Sequence, residues 1–446
     1  MNRREFIDKL FEKAAACGIQ ECEAFFSSGE SFEVDVLDGA IKEYSVSDSS
    51  GVCFRGLYNG RMGYASTQIE DEEAIEMLTE GVKNNASLLE TDDGESIFEG
   101  SAAYPQVNTY DEAVTQIPAS EKIALSLELE KLVKSLDARV QRVEGCGVNS
   151  FCGETRIVNS KGLDVSCKRA NYTAGVAPVV SENGKVNFSF AHKFARHPGD
   201  IDIREVAEKS VKRALDGLNA RTIPSGQYKC ILRNDMAGAL LATFAGVFSG
   251  ESARKGMSLL KGREGEIIAS ECVTLTDDPL LDGAPASAPF DSEGVACFTK
   301  DIIKNGKFIT LLHNRVTAKE AGTVTTANAS KGGLAGKVSV APSNLFINAS
   351  DKTPDDLYAE AGDGLLITSL MGMHSGANPI SGDFSLGAKG FRIEDGKIAY
   401  PVEQITVAGN FFEILKNVRT VANDLELDRA IASPSLYIGE ISVAGK

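Results

Sequence analysis

The chain has 446 residues, 43% of them hydrophobic, and a formal net charge of −17, which suits a soluble globular protein of two or three domains. The acidic charge and the lack of a basic stripe argue against duplex-DNA binding, because phosphate contacts need a Lys/Arg surface. No apolar run is long enough to span a membrane, and nine cysteines without a C-x-x-C pair suit a reducing compartment. We therefore expect a cytoplasmic protein that binds neither nucleic acid nor membranes.

The first 95 residues predict an α/β unit of helix, antiparallel strands and helix. Apolar residues recur at helical spacing in residues 3–17 and again in 71–89, and alternating apolar residues with glycine turns lie between them. The pattern then dissolves around "ETDDGES" and the prolines at 105 and 118. We interpret residues 96–118 as a linker.

Residues 119–222 predict a second unit of the same kind. Ser120 is a candidate cap for a helix with a leucine stripe, and Asp202 for a helix that ends near Asn219. The strings "GVCFRGLYNGR" (51–61) and "GVAPVVSENGK" (175–185) share their spacing from GV to NG. Two ordinary hairpins would explain the NG pairs, but the matching helix–strands–helix order favours a duplicated unit.

Residues 223–446 predict a larger β-rich domain with one buried helix. The helix covers 236–248, is apolar on every face, and has Asn234 or Asp235 as candidate caps. "SGES" follows the helix, but the spacing in "GVFSGES" fails the G-x-S-x-G pattern of a nucleophilic serine. A helix-terminal turn is therefore the favoured interpretation of Ser249.

Other candidate sites in the chain have competing structural explanations. His192 and His197 are at a poor spacing for two metal ligands, which favours a structural role. The acidic string "TDDPLLDG" (276–283), with Asp291 and Glu293, suits a solvated loop better than a cation site. The loop 372–390 is rich in Gly, Ser and Asn, and it is typical either of a substrate cleft or of a solvated turn cluster.

Four strings in the C-terminal half resemble the TldD/PmbA family, historically labelled modulators of DNA gyrase. They are "SGESARKGMSLLKGREGEIIASE" (249–271), "DD" (277–278), "SGDFSLGAKGFRIEDGKIAYPVE" (381–403) and "VANDLELD" (421–428). Their order and spacing hold through the C-terminal domain, and the N-terminal layout agrees. The resemblance implies an α+β fold with two related N-terminal α/β units and a larger β-rich C-terminal domain.

The resemblance also implies a relation to two-subunit cytoplasmic zinc peptidases. In the TldD-type subunit an H-E-x-x-x-H helix and a cysteine near the C-terminus hold zinc, and the glutamate activates its water. Alignment through the shared "R-[RK]-G-x-S" string puts the histidines at Leu241 and Gly246 and the glutamate at Ala242. The last cysteine is Cys297. These degenerate positions match the PmbA (TldE) branch, which binds no metal, so zinc is expected only in a TldD-type partner.

We therefore expect a metal-free subunit, a pseudoenzyme, that completes a TldD-type peptidase in proteolysis and peptide-precursor maturation. Its partners would be the TldD-type catalytic subunit and a peptide or unfolded protein, with a homodimer possible when it is alone. His374, Asn378 and Ser381 are the candidate peptide contacts. Two alternatives stay open: a stand-alone homo-oligomeric binding or scaffold protein, and an independent hydrolase that uses His374 with a nearby serine.

Overall fold

The computed structural model describes residues 1–90 and 94–446, so part of the "ETDDGES" string (91–93) lies outside the described residues. The helices are α1 (Arg3–Ala16), α2 (Glu72–Leu88), α3 (Ala113–Gln116), α4 (Ala119–Leu136), α5 (Ile203–Asp216), α6 (Asn234–Phe244), α7 (Gly250–Arg254), α8 (Arg315–Ala321), α9 (Pro354–Ala361), α10 (Met373–Gly376) and α11 (Phe411–Asn417). This element order confirms the predicted α+β class.

The strands are distributed over both halves of the chain. They are β1 (Cys22–Leu37), β2 (Ala40–Tyr58), β3 (Arg61–Thr67), β4 (Val140–Asn159), β5 (Asp164–Glu182), β6 (Lys185–Phe188), β7 (Ala191–Ala195), β8 (Gly226–Leu232), β9 (Leu275–Asp277), β10 (Lys300–Lys304), β11 (Lys307–Phe308), β12 (Ala329–Lys331), β13 (Val338–Val340), β14 (Leu345–Ile347), β15 (Gly364–Met371), β16 (Asp383–Glu394), β17 (Lys397–Asn410), β18 (Thr420–Val421), β19 (Ile431–Ala432) and β20 (Leu436–Ala444).

The two N-terminal units share one sheet of seven described strands. Its order is β3-β2-β1-β4-β5-β6, and β7 also pairs with β5. Both predicted NG hairpins are present, because Asn59–Gly60 and Asn183–Gly184 all have positive φ between antiparallel strands, as a tight two-residue turn requires.

The strand order is symmetric about the β1–β4 pair, which gives the two units a local two-fold relation. The sequence echo has an offset of 124 residues (51 to 175), and the same offset relates Gly29 to Gly153. These two glycines are directly paired across β1 and β4. A residue paired with its own equivalent lies on the two-fold axis, so the sheet supports the interpretation of a duplicated unit.

Helices cover one face of this sheet in two separate cores. In the first, α1 and α2 bury residues such as Phe6, Phe26 and Leu78. In the second, α4 and α5 bury Leu129 and Val206 together with the far half of β1. Thus β1 contributes to both cores, and the two units are packed as one layer.

The C-terminal domain covers the opposite face of the sheet. The irregular segment after residue 94 is part of this contact: Ile97 is fully buried, the hydroxyl of Tyr104 donates to the carbonyl of Gly294 at 2.8 Å, and Arg315 Nη1 donates to the carbonyl of Ser96 at 2.8 Å. The predicted linker therefore includes a packed layer between the sheet and the C-terminal domain.

Two sheets and α6 form the C-terminal core. Strands β8, β15, β16, β17 and β20 close on themselves, because β17 pairs with both β16 and β20. A smaller sheet has the order β11-β10-β9-β14-β19. The large apolar core includes Leu240, Leu241, Phe244 and Phe248. No helix in the described part of the chain is long and apolar enough to cross a membrane, and all nine cysteines are free.

Several local predictions need correction. The α6 helix ends at Phe244 and continues as a 3₁₀ turn, and its N-cap is Arg233, with no side-chain cap from Asn234 or Asp235. Ser120 is not a cap, because α4 begins after Pro118. Asp202 does cap α5, since it accepts from the N–H groups of residues 204 and 205.

We predict that Glu130 in α4 stabilises the β1–β2 hairpin of the other unit. Its buried carboxylate accepts from the backbone N–H of Asp38 at 2.7 Å and of Gly39 at 2.8 Å. Glu130→Ala should lower the free energy of unfolding by about 2–4 kcal/mol, because hydrogen bonds to a charged group are lost. Glu128→Ala, an exposed change in the same helix, should change it by under about 0.5 kcal/mol. Equal effects in urea unfolding would contradict the prediction.

Candidate functional site

A groove runs along the one open side of α6, between the C-terminal domain and the second N-terminal unit. We call it the α6 groove; its cavity is about 100 Å³. It is lined by Phe190, Ala191, His192, Lys209, Arg213, Asn234, Asp235, Gly238, Ala239, Ala242, Glu426, Asp428, Arg429, Ile431, Ala432 and Ser433. The segment 426–433 thus lies beside α6, although 180 or more residues separate them in sequence.

Small residues on α6 create this groove. Ala242 and Gly246 are exposed, while Leu241 is only 2% exposed and faces the core. A Cβ on Gly238 would lie 3.3 Å from the Cα of Ala432 and from the amide nitrogen of Ser433, so a larger residue would push the segment away by a few tenths of an ångström, and glycine allows the close approach. The helix is buried on its core side, as predicted, but Ala242 and Gly246 leave one side open.

The charged side chains of the α6 groove are largely paired with one another. Lys209 Nζ contacts the Glu426 carboxylate at 2.7 Å. Asp235 contacts Arg233 at 2.6 Å and Arg213 at 3.4 Å, and these arginines hold the pKa of Asp235 below its usual value against the opposing effect of burial. The groove therefore presents compensated charge and small apolar surface.

His192 is a groove residue that the sequence did not identify. Its ring stacks on Phe190, with centroids 5.4 Å apart. Burial, and secondarily the positive charge of Arg429, lower the pKa of His192, which favours the neutral ring. The H-x₄-H spacing does not indicate that His192 lines a groove, because the groove forms only where β7 meets the C-terminal domain.

His374, Asn378 and Ser381 lie outside the α6 groove. His374 is exposed on α10, which contacts α6 where Thr243 Oγ1 donates to Met373 Sδ at 3.3 Å. Asn378 Oδ1 accepts from the N–H groups of Ile380 and Ser381, and these bonds hold a turn. The three residues share one exposed loop, and their role in peptide contact stays a prediction.

The serines near His374 and α6 do not form a catalytic triad in the described part of the chain. Ser381 Oγ donates to Asp383 at 2.8 Å, and the side chain of His374 has no hydrogen bond or ion pair with a described residue. Ser249 is buried and caps α7, since its Oγ accepts from two backbone N–H groups. The structure therefore supports the interpretation of a helix-terminal turn at Ser249, and the hydrolase alternative lacks its geometry.

The acidic string and its neighbours are not a solvated loop. Asp277, Asp291 and Glu293 are all buried. Asp277 pairs with Lys300 at 3.1 Å, and Asp291 accepts from the N–H groups of residues 293, 295 and 329. Glu293 accepts from the N–H of Arg315 at 2.9 Å. Each carboxylate has its own protein donors, so these residues organise loops of the C-terminal domain.

Family models match three successive parts of the chain. They describe domain 1 of the PmbA/TldA metallopeptidases over residues 22–86, the central domain over 112–218 and the C-terminal domain over 225–445. The Escherichia coli O157:H7 protein "Metalloprotease PmbA" is 30% identical over 332 residues, which are 74% of this chain and 71% of that protein. The chain belongs to the PmbA/TldD family.

Solved structures agree with this membership. A Thermotoga maritima protein, whose name links it to modulation of a DNA gyrase, has a TM-score of 0.93 at 30% identity and covers 99% of this chain and 100% of its own. TldE from Thermococcus kodakarensis has a TM-score of 0.89 at 23% identity, with coverage of 99% and 100%. The second likeness shows the shared fold.

The residues at the predicted degenerate positions do not fit the zinc site of a PmbA/TldD metallopeptidase. Leu241, Ala242 and Gly246 offer no donor atom, and only Ala242 of the three lines the groove. Among residues 1–90 and 94–446 there is no group of three or more His, Cys, Asp or Glu side chains placed to hold a metal ion. No catalytic step can be derived through zinc on these residues.

We predict that Leu241 has a packing role. Leu241→Ala should lower the free energy of unfolding by about 2–5 kcal/mol, because it leaves a cavity in the core. Ala242→Ser, on the open side, should change it by no more than about 0.5 kcal/mol. Chemical unfolding of both variants measures the difference, and similar losses would show that Leu241 is not a core residue.

We predict that Asp291 makes the protein less stable as the pH rises. Burial, and secondarily Glu293, raise the pKa of Asp291 to about 7. In the unfolded chain the pKa of Asp291 is about 4, so between about pH 4 and 7 the folded chain holds a proton that the unfolded chain has lost. The free energy of unfolding should therefore fall by about 2 kcal/mol as the pH rises from about 5 to 7. Urea unfolding of Asp291→Asn should show a shallower pH slope than the wild type. An unchanged slope would refute this assignment.

Proposed function

We propose that the chain is a metal-free PmbA/TldE-like subunit of a cytoplasmic TldD-type zinc metallopeptidase. The observation that carries this proposal is the open side of α6, where Gly238, Ala239 and Ala242 line the groove and offer no side chain that could bind zinc. The family is metallopeptidase-like, so a member without ligands requires a catalytic partner in order to act in proteolysis.

In this proposal the chain contacts the peptide substrate, and the TldD-type partner carries out the cleavage. The helix keeps its core side, with Leu241 and Phe244 packed in the C-terminal domain, and in this proposal its open side lies along the path of the peptide. Small residues and internally paired charges suit a groove that binds peptides of many sequences, because neither feature strongly favours one peptide side chain over another. The substrates would be peptides or unfolded proteins, including peptide precursors that mature by cleavage.

The alternative is a stand-alone homo-oligomeric binding or scaffold protein without a peptidase role. The same groove would then bind a ligand without cleavage. The two proposals differ in one requirement, since only the first needs a TldD-type subunit for any activity.

Co-expression with a TldD-type subunit from the same source tests the first proposal. We expect a stable complex that contains zinc and cleaves an unfolded substrate, whereas either subunit alone cleaves little. Ala242→Arg, which fills the α6 groove, should reduce cleavage at least tenfold while the complex still forms and keeps its zinc. Glu128→Arg, an exposed change on α4, is the matched control and should have no effect.

Two outcomes would overturn the proposal. Stoichiometric zinc in the purified chain alone would show that it holds its own metal. A homodimer that neither binds the TldD-type subunit nor changes its activity would support the scaffold alternative.

A further inference from the structure

A second cavity lies between the N-terminal sheet and the C-terminal domain, on the sheet face opposite the helices. Its volume is about 330 Å³, which is within the range of small-molecule sites. Strands β1, β4 and β5 form one wall with Ser27, Thr155 and Arg169, and the C-terminal domain forms the other with Asp291 and Lys331. We call it the Arg169 cavity.

Arg169 contributes a half-buried positive charge to this cavity. Its Nε atom is buried without a hydrogen-bond partner, and within the described ranges its guanidinium makes no hydrogen bond or ion pair. Its neighbour across the strands is Gly153, which in turn pairs with Gly29, so this row of the sheet has no side chain that could pair with the guanidinium. An unpaired guanidinium that is half-buried has lost part of its hydration, and no counter-charge compensates for that loss.

The other charged groups around the cavity are already engaged. Lys331 Nζ lies 3.2 Å from Cys53 Sγ and 5.1 Å from the centre of the Phe25 ring. Asp291 directs its oxygens to three backbone N–H groups, and its raised pKa reduces its negative charge at neutral pH. Burial lowers the pKa of Arg196 to about 10, and the nearby positive charge of Arg169 is the second cause of this shift. The cavity is therefore electropositive.

The remaining lining is mixed. The hydroxyls of Ser27, Thr155 and Ser292 can donate hydrogen bonds, and Phe290 and Leu334 provide apolar wall. A guanidinium matches a planar carboxylate through two parallel N–H···O bonds, and the apolar wall suits a carbon chain attached to it.

We propose that the Arg169 cavity is a binding site for a small organic carboxylate, whose carboxyl group pairs with the guanidinium of Arg169. The site is separate from the α6 groove and does not depend on the function proposed for that groove. Inorganic phosphate has no carbon chain for the apolar wall, and an uncharged amide has no negative charge for the guanidinium of Arg169.

The first test uses the ligand-free chain and asks whether Arg169 is a structural or a ligand-binding residue. Arg169→Met removes the unpaired charge and keeps an unbranched apolar side chain. We expect its melting temperature to equal or exceed that of the wild type. A structural arginine would give the opposite result, so a large fall in melting temperature would overturn the proposal. Lys168→Met, on the other face of the same strand and exposed, controls for a lost positive charge.

The second test measures binding by calorimetry of the full chain. The probes are N-acetyl-leucine, its amide N-acetyl-leucinamide, and inorganic phosphate. We expect N-acetyl-leucine to bind at least tenfold more tightly than the other two, and Arg169→Met to lose at least tenfold in affinity, as loss of a charge-assisted bidentate pair implies. Lys168→Met should bind like the wild type.

A third variant fills the cavity and leaves the arginine in place. Ser27→Leu should also lose binding of N-acetyl-leucine if the ligand occupies this cavity. The proposal fails if N-acetyl-leucine does not bind the wild type at millimolar concentration, if phosphate or the amide binds as tightly, or if Arg169→Met or Ser27→Leu retains full affinity.

Discussion

The pairing of β1 with β4 is the constraint on which the rest of the molecule depends. It joins two units that would otherwise each have an open sheet edge, and an unpaired edge exposes a row of backbone donors and acceptors. The Gly29–Gly153 pair lies at its centre. A Cβ at Gly29 would come within 2.6 Å of the Phe151 ring and one at Gly153 within 2.5 Å of the Ser28 carbonyl oxygen, so a side chain at the local two-fold axis would displace the Phe151 ring or the backbone of β1.

The joined sheet provides two faces with different chemistry. One face is apolar and is covered by helices. The other face contains a buried ion pair between Glu23 and Arg55, 2.8 Å apart, and it is covered by the C-terminal domain. Replacing one partner of such a pair would leave a buried charge, so the interface depends on matched polar groups. This explains why the C-terminal domain meets the sheet through carboxylates, arginines and an ordered segment after residue 94.

Much of the fold could be predicted from the sequence, because helical periodicity, cap residues and NG turns are local signals. The helix at 3–17, the hairpins at Asn59 and Asn183, and the Asp202 cap all depend on neighbours in sequence. The failures share one cause, which is that burial is decided by remote segments. Asp277 is buried because Lys300 and Asn328 supply its partners, and His192 lines a groove because α6 lies opposite it. Likewise, nothing in the spacing around Arg169 indicates that its strand neighbours are glycines.

The two cavities differ in how their charges are balanced, and this difference separates their roles. In the α6 groove, Lys209 pairs with Glu426 and Asp235 pairs with two arginines, so these charges are compensated within the protein. In the Arg169 cavity the guanidinium is half-buried and lacks a protein partner among the described residues, so no counter-charge compensates for its partial desolvation. A protein tolerates such a cost most readily where a ligand removes it. Recognition of a charged group is therefore expected at Arg169, and accommodation of a variable chain beside α6.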